Sequence, residues 1–130
     1  MAKILIAEDE EALRSLVARA LLAEGHAVEV VPDGAEARAA LGREPFDLLL
    51  ADIKMPVMDG IALALAAARD HPALVMMLMT GYADQRERAC GLEALIHEVL
   101  TKPFTLAELR QAVGAALAVR RPADGLLKTL

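Results

Sequence analysis

Two acids, Glu8 and Asp9, stand directly behind the apolar run at residues 4–7, and a third, Asp52, stands directly behind the apolar run at residues 46–51. Thr80 closes the run at 74–79, and Lys102 follows soon after the short apolar pair Val99-Leu100. Three carboxylates, a hydroxyl and an ammonium are thus all found where an apolar run ends. Carboxylates brought together in partial burial repel one another, so such a group is tolerable only with a cation or a proton among them. An all-oxygen donor set with room for waters and a phosphoryl oxygen suits Mg²⁺ or Mn²⁺. A carboxylate beside that ion can attack a phosphoryl donor and become an acyl phosphate. The metal and the ammonium would then neutralise charge on the equatorial oxygens, and the hydroxyl would report the new group by donating a hydrogen bond. Taken singly, Asp52 reads as a turn cap, Thr80 as a helix or turn cap, and Lys102 as a solvated charge. Their standing rests on the set.

The set needs a scaffold that brings these run ends to one rim. The apolar runs at 4–7, Ala27–Val31, 46–51 and 74–79 are too short for ordinary helices, and Val99-Leu100 is a weaker fifth run. Between them the apolar period changes. Leu13, Leu16, Val17, Ala20 and Leu21 recur at the spacing of a buried helix face, and Gly25 ends that helix. Asp33 with Glu36 predicts a second helix reaching about Leu41, and residues 61–69 read as an alanine-rich third. Asp84 with Glu87 offers a capping box for a fourth. Thr105 with Glu108 opens the last, whose stripe is Leu106, Leu109, Val113, Ala116 and Leu117. That helix is expected to end near Arg120-Arg121, because Pro122 discourages its continuation. Alternating strands and helices require crossovers, hence an α/β, doubly wound, mainly parallel sheet buried on both faces. In such sheets ligands bind outside the carboxyl ends of the strands, where the acids, Thr80 and Lys102 fall.

The chain has 130 residues, 56% of them hydrophobic, which suits one domain. A net charge of −5 gives no basic field for a phosphate backbone, so direct nucleic-acid binding is not expected and the partners are expected to be proteins. No run has the signature of a signal peptide or approaches a membrane span, and a cytoplasmic location is expected. Cys90 is the single cysteine and is expected to pack as a small apolar residue. His26, His71 and His97 lie apart, without metal-ligand spacing.

From Lys3 to about Val119 the chain resembles the receiver domain of two-component response regulators. The residues that carry the resemblance are Glu8-Asp9; Asp52 with Met55-Pro56, Met58 and Asp59-Gly60; Thr80-Gly81; and Lys102-Pro103-Phe104. It implies the flavodoxin-like receiver fold: five parallel strands in the order 2-1-3-4-5, with five helices. It also implies that Asp52 is the phosphoacceptor and Asp9 a direct metal ligand, while Glu8 acts through metal-bound water and Lys54 offers its backbone carbonyl. Thr80 and Lys102 would bind the phosphoryl oxygens, and the Lys102-Pro103 peptide would be cis. A histidine kinase or a histidine phosphotransfer protein would be the donor, and slow autophosphatase activity would be the extent of any enzymatic turnover. Val99 stands where many relatives carry a switch Tyr or Phe. Tyr82, two residues past Thr80, is the alternative switch candidate. The pattern is similar to CpdR-type single-domain regulators of alphaproteobacteria, which implies a protein-docking output such as an adaptor role with a ClpXP protease. On this reading 1–119 is the receiver domain and 120–130 a C-terminal tail, with no output domain.

Three rivals remain in view. A phosphatase forming an aspartyl phosphate in turnover would need a second aspartate two residues past the nucleophile, where this chain has Lys54. A flavin or nucleotide module would need a Gly-rich loop after the first strand, where this chain has four consecutive acids. A pseudo-receiver, folded but never phosphorylated, would act as a fixed protein adaptor.

Overall fold

A computed structural model describes the backbone of residues 1–129 and the side chains outside 83–85 and 120–130. Strands and helices alternate throughout: β1 (Lys3–Ala7), α1 (Glu11–Ala23), β2 (Ala27–Val31), α2 (Gly34–Arg43), β3 (Leu48–Asp52), α3 (Gly60–Asp70), β4 (Val75–Thr80), α4 (Ala83–Arg88), β5 (Glu98–Thr101) and α5 (Leu106–Thr129). The sheet is five-stranded, in the order β2-β1-β3-β4-β5, with every pairing parallel.

The period of two along each strand divides the apolar residues between two cores. Leu5, Leu49, Ala51, Met76 and Leu78 face one side, where they pack with Ala37, Leu41, Leu63 and Ala64 of α2 and α3. Ile4, Ile6, Leu48, Leu50, Met77 and Met79 face the other, against Val17 and Leu21 of α1 and Leu109 and Val113 of α5. β3 is buried along its whole length, as a central strand covered on both faces must be. Each fully buried leucine there contributes about 1.5–3 kcal/mol of transfer free energy. The three methionines of β4 are core filler, as expected.

Caps agree with the sequence at α2, where Asp33 accepts from the Glu36 amide, and at α5, where Thr105 and Glu108 form a reciprocal box. Three expectations are corrected. Helix α4 starts at Ala83, because the Tyr82 carbonyl already accepts the Arg86 amide at 3.1 Å, so Asp84 lies inside the helix instead of capping it. Helix α5 runs on to Thr129 instead of ending near Arg121. Pro122 forgoes its own N–H bond and crowds the carbonyl four residues back, and Gly125 is a poor helix former, so the continuation runs against local propensity and nothing in the structure explains it. Cys90 is exposed and does not pack as a core residue, because it follows the polar turn of α4 at the surface.

Candidate functional site

The parallel register sets the site. Ala7 pairs with Ala51, so the residues immediately beyond, Glu8 and Asp52, come side by side at the carboxyl rim. Glu8 is 1% exposed and Asp52 6%. One Glu8 oxygen accepts from the Glu10 amide at 3.0 Å, and the Glu8 carbonyl accepts from the Arg14 guanidinium at 3.0 Å, which fixes the β1–α1 turn. Lys102, from beyond β5, donates to Glu8 Oε1 at 3.0 Å and to Asp52 Oδ2 at 3.1 Å. Asp9 completes the group: one carboxylate oxygen from each of Glu8, Asp9 and Asp52 lies within 4.8 Å of the others.

One ammonium cannot balance three carboxylates. Burial, with the Asp52 charge adding to it, pushes Glu8 up from 4.5 to about 7 against the hydrogen bonds it accepts. Asp52 is raised as well, first by burial, with Asp9 contributing repulsion and Lys102 opposing. Lys102 is raised because Glu8 and Asp52 together outweigh its own desolvation, so it stays an ammonium. A site whose carboxylates hold on to protons is short of positive charge. Its hard oxygen donors suit Mg²⁺, so the residues present fit that ion.

Thr80 ends β4 next to the site, 1% exposed. Its hydroxyl accepts from the Tyr82 amide at 3.1 Å and donates to the Tyr82 carbonyl at 3.3 Å. Tyr82 is 52% exposed, and the ammonium of Lys54 lies 4.9 Å from its ring centroid. The β3–α3 loop and the β4–α4 loop therefore touch through Lys54 and Tyr82. The structure brings Glu8, Asp9, Asp52 and Lys102 together, and sets Thr80 at the end of β4 and Lys54 and Tyr82 on the flanking loops. The Lys102-Pro103 peptide is cis, as expected.

Residues outside the expected metal and phosphoryl ligands hold this arrangement. A Cβ on Gly60 would meet the Asp52 carbonyl oxygen at 2.3 Å, and the Gly60 amide donates to the Ile53 carbonyl at 2.8 Å, so the loop closes tightly behind Asp52. A Cβ on Gly34 would meet the Met58 carbonyl oxygen at 2.2 Å. Asp59 caps α3 through the Ala62 amide and pairs with Arg88 at 2.8 Å. The Asp59-Gly60 pair was a visible signal; Gly34 and the arginines gave none.

The response regulator receiver domain family matches residues 4–114. The chain belongs to that family. The receiver is 41% identical over 109 residues to the response regulator receiver protein CpdR of Brucella abortus, covering 84% of this chain and 91% of that protein. It is 36% identical over 107 residues to the transcriptional regulatory protein TcrA of Mycobacterium tuberculosis, covering 82% of this chain but only 42% of that relative's length. Among solved structures, a response regulator receiver domain protein from Methanospirillum hungatei superposes with a TM-score of 0.88 at 28% identity, covering 95% of this chain and 98% of that one. NtrX from Brucella abortus in complex with ADP superposes with a TM-score of 0.91 at 26% identity, covering 99% of this receiver and 30% of that chain. The expected fold, strand order and likeness to CpdR are thereby borne out. Among the described residues no helix is long and apolar enough to cross a membrane.

Proposed function

We propose that this receiver is a phosphoacceptor switch of a two-component or phosphorelay system, with Asp52 as the acceptor. The observation that carries the reading is the convergence of Glu8, Asp9 and Asp52 with the Lys102 ammonium at the carboxyl rim of the sheet. Asp9 and Asp52 would hold Mg²⁺ directly, with Glu8 acting through water and the Lys54 backbone carbonyl as a further donor. When bound, the ion supplies charge neutralisation at the phosphoryl oxygens. An Asp52 carboxylate oxygen attacks the phosphorus of a phosphohistidine on a histidine kinase or phosphotransfer protein. The O–P bond forms as the P–N bond breaks, and the imidazole nitrogen keeps the electron pair. Lys102, already on Asp52, moves little to reach a phosphoryl oxygen, and Thr80 donates its hydroxyl to another.

The product changes protein docking by favouring one arrangement of the β4–α4 region, which requires differential affinity of partners for the two states. Tyr82 is the candidate reporter on that loop. The likeness to CpdR supports an output acting on other proteins in the cytoplasm, of the ClpXP adaptor kind. We assign this switching unit to residues 1–119, with 120–130 as an appended segment and no direct role with nucleic acid or membrane. The acyl phosphate is lost by slow autophosphatase hydrolysis, not by turnover of a metabolite. A pseudo-receiver is the second reading. The retained Glu8, Asp9, Asp52, Thr80 and Lys102 weigh against it.

The test is intact mass after incubation with acetyl phosphate and Mg²⁺. A gain of one phosphoryl group that is lost with EDTA and in Asp52→Asn supports the switch. A folded, Mg²⁺-binding protein that gains nothing from acetyl phosphate or from a phosphorylated histidine donor supports the pseudo-receiver.

A further inference from the structure

A hydrogen-bonded path leads from Thr80 to β5 by way of α4. The Thr80 hydroxyl donates to the Tyr82 carbonyl at 3.3 Å, and that same carbonyl accepts the Arg86 amide at 3.1 Å, the bond that opens α4. The Arg86 guanidinium then reaches across to β5. Its Nη1 donates to the Val99 carbonyl at 3.1 Å and to the Thr101 hydroxyl at 2.6 Å.

Thr101 is a telling place to end. It is the register partner of Thr80 and the residue before Lys102, so Arg86 grips the strand position that lies between the two groups assigned to the phosphoryl oxygens. The grip matters because the described side chains of α4, Arg86, Glu87 and Arg88, are all exposed. The helix is six residues long with the sequence ADQRER and carries no large apolar side chain. A helix that short and that polar is held by its contacts, not by propensity or burial. Arg88 of α4 also pairs with Asp59 at 2.8 Å, on the loop behind Asp52.

We propose that Arg86 is the positioning residue that couples Thr80 to the α4–β5 face of this receiver, a polar link at the very residue, Val99, where an aromatic switch is absent. The coupling rests on the phosphoacceptor reading above. A hydroxyl has one proton. When Thr80 donates it to a phosphoryl oxygen, the Tyr82 carbonyl loses a donor, the first turn of α4 loosens, and the Arg86 link to Val99 and Thr101 gives way. The groove lined by Arg86, Ala89, Leu92, Ile96 and Val99 then changes shape. Before phosphorylation Arg86 keeps α4 seated on β5.

Amide hydrogen exchange across residues 82–101 tests this, read on wild type, Arg86→Ala, Thr101→Val and Thr101→Ser, with and without acetyl phosphate and Mg²⁺. Phosphoryl uptake is followed by mass in the same samples, and global stability by urea. In wild type the exchange of this segment rises on phosphorylation. Arg86→Ala raises it about fivefold before phosphorylation, the loss expected for two exposed hydrogen bonds at the low end of their net worth. Phosphorylation then adds little more, although Asp52 is still modified and global stability is unchanged. Thr101→Val shifts the same way, and Thr101→Ser, which keeps the hydroxyl, behaves as wild type. Unmodified exchange in Arg86→Ala, or a Thr101→Ser that behaves as Thr101→Val, overturns the coupling while leaving the switch intact. Absence of uptake in wild type overturns the switch reading and the coupling with it.

Discussion

Replacing Glu8 by Gln should stabilise the metal-free protein at pH 8, although Glu8 makes an ion pair that a simple contact list would count as favourable. Its carboxyl rises from 4.5 to about 7, with burial as the largest cause. Between those values the folded chain keeps a proton that the unfolded chain has lost, so stability falls as pH rises through that window. At about 1.4 kcal/mol per pH unit, ionised Glu8 costs roughly 3 kcal/mol by pH 8. Gln removes that charge but can accept from only one of the two donors now on Glu8, the Glu10 amide and Lys102, which returns about 1 kcal/mol. The net gain is about 2 kcal/mol, an increase in Tm of about 8 °C for a domain of this size. Near pH 4.5 wild-type Glu8 is itself largely neutral and the gain should vanish. Thermal and urea unfolding in EDTA at several pH values provide the assay. A Glu8→Gln protein less stable than wild type at pH 8, or one whose advantage does not shrink on acidification, would refute the claim that uncompensated charge dominates this site.

Addition of Mg²⁺ to the wild type near pH 6.5 should release a proton as the ion displaces it from the acidic group, seen in titration calorimetry as a heat that depends on the buffer's ionisation enthalpy; Glu8→Gln should release less. Gly60→Ala should lose about 2 kcal/mol or more, because its methyl would lie 2.3 Å from the Asp52 carbonyl oxygen, and should slow acetyl phosphate uptake at least about tenfold by displacing Asp52. Val57 has a φ of 70° and is 84% exposed, in a tight turn closed by the Met58 amide on the Pro56 carbonyl. Val57→Gly should therefore stabilise by about 1 kcal/mol in urea unfolding, the relief of strain exceeding the entropy cost of glycine.

The parts legible in the sequence were those governed by local pattern and by strand ends. Continuous apolar runs located β1 to β4, and the residue types just past them located Glu8, Asp9, Asp52, Thr80 and Lys102, because a parallel sheet delivers all its carboxyl ends to one rim. Helix α4 was misjudged at its start because it has no apolar period to read and owes its position to Thr80, Tyr82 and Arg86, contacts that no spacing rule anticipates. Cys90 followed it to the surface. Nothing in the sequence marks Gly34, whose need for a missing side chain is visible only once Met58 is seen against it. The continuation of α5 past Pro122 and Gly125 runs against local propensity, so a reading built on propensity ends the helix too early.

The central claim is that a carboxylate on Asp52 becomes an acyl phosphate. The most direct measurement is borohydride trapping after exposure to acetyl phosphate and Mg²⁺, with peptide mapping of the product. Reduction of the acyl phosphate to the alcohol at Asp52, absent with EDTA and absent in Asp52→Asn, is the predicted result. Reduction at any other acid, or uptake that survives in Asp52→Asn, would contradict it.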